Sequence, residues 1–537
     1  MRRVLTSIFF SFFFLSCSEK APRIGYIDPP IGVIGQLLNI YGEGFGKEQA
    51  ESYITIAGSS PTSASYIRWQ DDLISLRVPE FGESGLIYVY VDGKRSNGVL
   101  FSNRVAIPRS VQGGESGLAP RIVSVSPEPV SIGSLLSIQG SGFGNSRERS
   151  GIFFSWTAES SPSAPAEVQK NEEIEVSESE GGYEYWSERE IRVRVPDGAV
   201  SGNLELRSPR GNSRPVFLEL ARGPGTKAFR DKRSYTISYT VDVSVQEASG
   251  SNSLYLWIPQ PVSSASQRNV LLLNRNREPF VENYRGTSLF QLQEQSPGKT
   301  VSITQSYQVE VFAQETVINA QQIRQENNAS SRYSMPSPLI PSDDEQIKKT
   351  ADSIVGREKN PYMKAKRIYE WMLKEIRILN GSSRTGGALE ALQTKSADAY
   401  QASLLFCALA RAAGIPAIPD AGVLILHNRG SQRHYWAEFW IDGFGWVPVD
   451  SALGAGAAPS AFTLRENPAS WYFGNLDNMR ICFSRDQTIL SPMDPRGRSA
   501  VRNRDYAMQN LWEEASGGLE SYSSLWGDIT ITGAYVQ

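Results

Sequence analysis

Two stretches near the start of the chain are copies of one another, and this repeat constrains the fold more than any other feature. Ala21-Pro22-Arg23-Ile24 recurs as Ala119-Pro120-Arg121-Ile122, an offset of 98 residues. At the same offset Pro29 matches Pro127, Gly35 matches Gly133, and Leu37-Leu38 match Leu135-Leu136. Gly44-Phe45-Gly46 likewise matches Gly142-Phe143-Gly144. Further along the offset grows to 117: Trp69 matches Trp186, Val78-Pro79 matches Val195-Pro196, and Ser84-Gly85 matches Ser201-Gly202. The extra residues form a Ser/Glu-rich insertion around 157–180, a composition that reads as exposed loop. Within each copy, short β-rich runs alternate with Gly/Pro turns, the pattern of an all-β sandwich.

The shared pattern Pro-x-Ile…Pro…Gly…Leu-x-Ile-x-Gly-x-Gly-Phe-Gly resembles the IPT/TIG domains. The resemblance implies immunoglobulin-like folds over 17–110 and 119–222. Such a fold serves as a spacer or a binding surface, and fold alone does not choose between them.

The N-terminus reads as a targeting segment. Arg2 and Arg3 precede an apolar run from Val4 to Leu15, which is too short for the roughly 20 residues a membrane span needs. The run ends in Phe14-Leu15-Ser16-Cys17, which resembles a bacterial lipobox with Phe14 in a place where leucine is usual. By that resemblance residues 1–16 are a signal peptide and Cys17 becomes the lipidated N-terminus. The membrane would then be a partner through Cys17, and the location the bacterial cell envelope, on its periplasmic or surface face. An ordinary signal peptide with an incidental cysteine is the alternative. Only Cys407 and Cys482 remain, too few for a disulfide framework, and both one bridge and two buried thiols fit. The 54 basic and 57 acidic side chains nearly cancel, which argues against a nucleic-acid partner.

After a linker around 222–226, Tyr235, Ile237, Tyr239, Val241, Val243 and Val245 alternate with mostly polar residues, the period of a half-buried strand. Residues 254–259 and 301–312 read as further strands. We therefore expect a third β-domain over 227–335. Helical signals begin beyond it. Ser342 with Glu345 fits a capping box, and Asn360-Pro361 opens a second helix with proline in its first turn. A third helix runs from Ala399 to Ala413 and stops at Gly414-Ile415-Pro416.

The chemistry-bearing residues lie on the C-terminal side of this helix. His434 lies in His434-Tyr435-Trp436-Ala437-Glu438, ahead of Asp442-Gly443 and Gly445-Trp446-Val447-Pro448-Val449-Asp450. Asp-Gly between two apolar runs is a hairpin signal. A turn centred there sets His434 across the ladder from Asp450, within about one residue of register. An imidazole oriented by a carboxylate is the base half of a catalytic triad, and the same pair can equally hold a sheet together.

These two segments and Ala408-Leu409-Ala410-Arg411-Ala412-Ala413-Gly414-Ile415-Pro416-Ala417 together resemble the transglutaminase-like family over about 340–485 and more weakly back to about 227. The family has an α+β papain-like core with a cysteine at a helix N-terminus and histidine and aspartate on adjacent strands. A helix N-terminus and an imidazolium both favour the thiolate. The resemblance breaks at the nucleophile. Its cysteine falls fifteen residues before the glycine of Gly-Ile-Pro, and that position holds Ala399, in Ala397-Asp398-Ala399-Tyr400. Cys407 lies eight residues along the same helix, about 12 Å of rise and about 80° of rotation away, in an apolar run that reads as core. Asp398 reads as a helix cap.

The expected architecture is multidomain: two all-β sandwiches, a third β-domain, an α+β core over 340–485, and an extension over 486–537. The aromatic-rich part of the extension, Leu511 to Trp526, reads as a short helix and strand on the core. A groove lined by Asp398, Tyr400, His434 and Trp436 would bind a peptide, protein or cell-wall-type ligand without needing a nucleophile. Two alternatives stand beside this reading: a thiol enzyme using Cys407 or another displaced nucleophile, and an adhesin acting through the repeated domains. No cofactor is expected. No His/Cys cluster has metal-ligand spacing, and Arg384-Thr385-Gly386-Gly387 lacks the surroundings of a phosphate loop.

Overall fold

A computed structural model describes residues 21–29, 31–79, 85–103, 119–147, 149–158, 172–177, 180–323, 333–381, 386–494 and 496–536. The leader with Cys17, most of the Ser/Glu-rich insertion, and Arg384-Thr385 lie outside the described residues. The chain forms two compact units, 1–106 and 107–537.

The first unit is the first repeat. One sheet holds Arg23–Asp28, Leu37–Glu43, Leu73–Arg77 and Tyr66–Trp69 in that spatial order; a second holds Val99–Asn103, Gly85–Val91 and Tyr53–Ile56. Alternate residues of both sheets, such as Leu38, Ile40, Ile54, Ile74, Ile87 and Val89, meet in one sealed core.

The second unit begins with the second repeat, whose first sheet has the same spatial order: Arg121–Ser126, Leu135–Ser141, Glu190–Arg194 and Tyr183–Trp186. The likeness extends to single contacts. The opening strand carries a bulge between Ile24 and Tyr26 in one copy and between Ile122 and Ser124 in the other. The Trp69 indole donates to Phe45 O at 2.7 Å, and that of Trp186 to Phe143 O at 3.2 Å. A Cβ on Gly42 would overlap Arg23 O, and one on Gly140 would overlap Arg121 O, so both copies need glycine there.

The third β-region is built on β1 (Gly225–Pro259) and β2 (Thr300–Ile318), antiparallel partners in an eight-stranded sheet. Tyr235, Ile237, Tyr239, Val241, Val243 and Val245 all point into its core, as their period-two spacing requires. The linker reading at 222–226 is only partly apt. Gly223 abuts the Gly443 carbonyl, and Gly225 already pairs with Ile318. Apolar contacts cross the junction: Trp156 of the second repeat packs on Phe229 and Phe312 at 5.3 and 5.2 Å.

The helical part contains α1 (Glu345–Val355), α2 (Pro361–Glu375), α3 (Ala388–Thr394) and α4 (Ala399–Ala412). The cap of α1 is Asp344, whose Oδ1 accepts from Gln346 N–H at 2.8 Å and Ile347 N–H at 3.2 Å; Ser342, the expected cap, sits two residues too early. Asn360 caps α2, with Pro361 in its first turn. α4 is mostly apolar and buried along nearly its whole length, the mark of a central helix. It packs on a sheet of β3 (Ala417–Ile425), β4 (Ser431–Ile441), β5 (Gly445–Val449) and β6 (Arg480–Arg485), in the spatial order β5-β4-β3-β6.

The C-terminal extension differs from expectation. Glu513–Trp526 is one strand, β7, and Thr530–Val536 another, β8; both join the β1 sheet, and the expected helix is not formed. Its Ser- and Gly-rich run, Ala515 to Ser524, disfavours helix and accepts a strand edge.

Candidate active site

The β4–β5 hairpin positions the candidate residues. Its turn takes in Asp442, Gly443 and Phe444, and the ladder runs from Ile441 opposite Gly445 to Ala437 opposite Val449. At His434, β4 is therefore paired on one side only, with Gly422 of β3. Asp450 leaves the end of β5 into this gap. It lies diagonal to His434, one step off the expected register, and caps α5 (Ser451–Gly454) through Oδ1, which accepts from Leu453 N–H at 2.9 Å. Its Oδ2 lies 2.8 Å from His434 Nε2. The other ring nitrogen, Nδ1, takes no part in that bond.

A third residue binds this pair and was not anticipated. Arg480, from β6, donates through Nη1 to Asp450 Oδ2 at 3.0 Å and through Nη2 to Asp477 Oδ2 at 2.7 Å. Its guanidinium also lies 4.9 Å from the ring centre of Trp436, which stacks beside His434 at 6.3 Å. Burial alone would raise the Asp450 carboxyl. His434, Arg480 and the Leu453 N–H outweigh it and hold the carboxyl at about 2. Burial would likewise lower Arg480, but Asp477 and Asp450 push it up. The local cue was Asp477-x-x-Arg480, an ion-pair spacing without meaning until Asp450 is placed beside it.

Ala399 is the first residue of α4. Asp398 caps that helix: its Oδ1 accepts from Gln401 N–H at 2.9 Å, and Gln401 Oε1 accepts from Asp398 N–H at 3.3 Å, a complete capping box. The Tyr400 ring meets Tyr435 at 5.0 Å, edge to face, which brings the first turn of α4 to β4 beside His434. A helix N-terminus favours an anion, and the side chain of Ala399 there is a methyl group.

The residues expected to line a groove are almost fully buried. Asp398, Tyr400 and Trp436 are 2%, 6% and 3% exposed. Arg504, from the C-terminal extension, pairs with Asp398, donates to Gly386 O at 3.0 Å and lies 4.7 Å over the Tyr400 ring. Arg480 covers Trp436 in the same way. Charged side chains of the chain itself thus lie over both of these rings.

Neither remaining cysteine lies at the start of α4. Both are free thiols, which answers the question of a bridge between them. Cys407 is fully buried in the middle of α4, and Cys482 packs against Trp436 and Leu476. Burial pushes both thiols well above the usual range, away from the thiolate. Among the described residues no group of three or more His, Cys, Asp or Glu side chains could hold a metal ion.

Residues 348–451 match the model of the transglutaminase-like superfamily, and residues 22–103 that of the IPT/TIG domain. The chain carries a transglutaminase-like domain. An uncharacterized protein of Haemophilus influenzae is 33% identical over 145 residues, covering 22% of this chain and 39% of the relative, so the chain spans about two fifths of that relative's length. Among solved structures, a "Putative Cysteine Protease" from Cytophaga hutchinsonii is 18% identical, with a TM-score of 0.36 over 58% of this chain and 92% of its own. The periplasmic domain of TgpA from Pseudomonas aeruginosa is 12% identical, with a TM-score of 0.26 over 47% of this chain and 99% of its own. Within the matched residues lie the His434–Asp450 pair and the capped start of α4 at Ala399.

Proposed function

We propose that this is a lipid-anchored envelope protein whose transglutaminase-like domain has lost acyl-transfer chemistry and binds a peptide or cell-wall-type ligand. The observation that carries the reading is Ala399 at the start of α4. A methyl group cannot attack an acyl carbon, and a dyad of His434 and Asp450 has no proton to take from it. The buried state of Cys407 and Cys482 supports the same reading and disfavours a displaced thiol. Asp450 and Asp398, the two carboxylates of the site, are each neutralised by an arginine of the chain, which suits a structural network. Lipidation at Cys17 would hold the protein at the membrane, on the periplasmic or surface face, with no role for nucleic acid.

The test is direct. The full chain, incubated with a glutamine-donor peptide and an amine, forms no amide and releases no ammonia, and it co-sediments with isolated cell wall. Ala399→Cys leaves that co-sedimentation within about twofold. Turnover by the natural chain, or failure to co-sediment, contradicts the proposal. A palmitate analogue labels the chain in bacteria, and Cys17→Ser abolishes the label.

A further inference from the structure

We propose that a second place in the molecule, a cavity between the second repeat, the β1 sheet region and the transglutaminase-like domain, binds a neutral sugar ring. This rests on the binding reading above and gives the ligand a chemical class and a site away from His434. The cavity has a volume of about 280 Å³, close to the lower end of the range for small-ligand sites, about 300 Å³. It includes Trp440 of β4, six residues beyond His434, which is roughly 20 Å at about 3.3 Å per strand residue.

Its wall is aromatic. Tyr333 meets Trp446 edge to face at 5.0 Å, and Trp440 meets Trp446 at 5.2 Å; all three line the cavity. Such rings offer flat apolar faces with polar groups at their edges, a match for the C–H faces of a pyranose.

The charges that line it are already matched within the protein. Arg485 is held by Glu180 and Glu438, Asp197 by Lys227, Glu173 by Arg207, and Arg194 by Glu184. Glu175 is likewise engaged. A charged ligand would have to displace one of these partners and leave the other charge poorly compensated in a largely buried site. A neutral ligand has no such cost.

One polar feature remains open. Arg268, only 6% exposed, lines the cavity, and its Nε has no hydrogen-bond partner among the described residues. Its charge is matched by Glu172, whose Oε2 lies 3.6 Å from the Nε and which does not line the cavity. A sugar hydroxyl that reaches Arg268 from the cavity accepts from this Nε. Aromatic walls, paired charges and this open donor together select a hydroxyl-rich, uncharged ring, whether free or at the end of a glycan chain.

The experiment is titration calorimetry of the full chain with cellobiose, maltose and N,N′-diacetylchitobiose, and with longer oligomers of each, beside glucosamine and glucuronic acid as charged probes. At least one neutral saccharide binds, and the charged probes bind at least tenfold more weakly. Oligomers that bind as well as the disaccharide identify a chain end as the ligand; disaccharide-only binding identifies a free sugar. Ser263→Trp, an exposed position at the cavity rim, weakens binding at least tenfold with unchanged melting. Absence of binding by every neutral probe, charged probes that bind as tightly, or binding that Ser263→Trp leaves within twofold overturns the proposal. Turnover of the glutamine-donor peptide, measured in the same samples, would overturn the non-catalytic reading without touching the sugar site.

Discussion

Asp450 answers to three groups at once: the His434 ring, the Arg480 guanidinium and the first turn of α5. Its folded carboxyl is held at about 2, below the ordinary 3.8. The folded value is the lower one, so the stabilisation is complete above about pH 4 and is lost as pH falls toward 2. The shift corresponds to about 2 kcal/mol. Asp450→Asn should therefore melt well below the natural chain at pH 7, and the gap should narrow between pH 4 and pH 2; thermal melts across that range check it. Arg480→Met leaves two buried carboxylates without their cation and should cost about 3–5 kcal/mol, read by urea unfolding. At this scale the nearness of His434 to Asp450 and the helix start at Ala399 were legible because each sits in a short run of characteristic neighbours. Arg480 and Arg504 were not. Their partners lie 30 and 106 residues away, and no local pattern announces a contact made by the fold.

Among the elements, β3 is the one the site depends on most. Gly422 pairs with His434 on one side and Cys482 on the other. A Cβ there would overlap the Ile481 carbonyl, so β6 could not keep its place. Gly422→Ala should destabilise by about 1–3 kcal/mol, and since β6 carries Arg480, it should also loosen the grip on Asp450. Hydrogen exchange of the β3 and β6 amides would report both. The hairpin itself was legible from Asp442-Gly443. Its turn is one residue longer than the two-residue form, which moves the position facing Asp450 from Tyr435 to Trp436 and leaves His434 diagonal to it. α4 was legible from its apolar run and its Gly-Ile-Pro stop. The last strand was harder to read: Leu511 to Trp526 is rich in aromatic residues at no clean period, and only its partner β1 makes it a strand.

At the scale of the molecule, the second repeat is built into the larger unit. Lys227 of β1 pairs with Asp197 of that repeat, both less than a tenth exposed, and Trp156 joins Phe229 and Phe312 in one core. Gly133 has no Cβ, and one there would overlap the Trp440 ring of the transglutaminase-like domain. The repeat in the sequence showed two like domains. It could not show that the second is fused to the β1 sheet and the transglutaminase-like domain, because the residues that bind it lie beyond the repeat. Asp197→Ala strands a buried lysine, already lowered by burial, and should cost about 3–5 kcal/mol. Calorimetry should show the second repeat unfolding in the same transition as the transglutaminase-like domain, with no protease cleavage at 222–226 before it.

The central claim is that Ala399 leaves this domain without a working thiol, and mass-spectrometric mapping of iodoacetamide labelling under native conditions at pH 7 tests it most directly. Cys17→Ser protein should carry no label at Cys407 or Cys482 until it is unfolded, whereas the same protein with Ala399→Cys should be labelled at position 399, more slowly once His434→Ala is added. Native labelling of Cys407 or Cys482 that His434→Ala slows would contradict the account, because it would mean that the imidazole serves a thiol from another position.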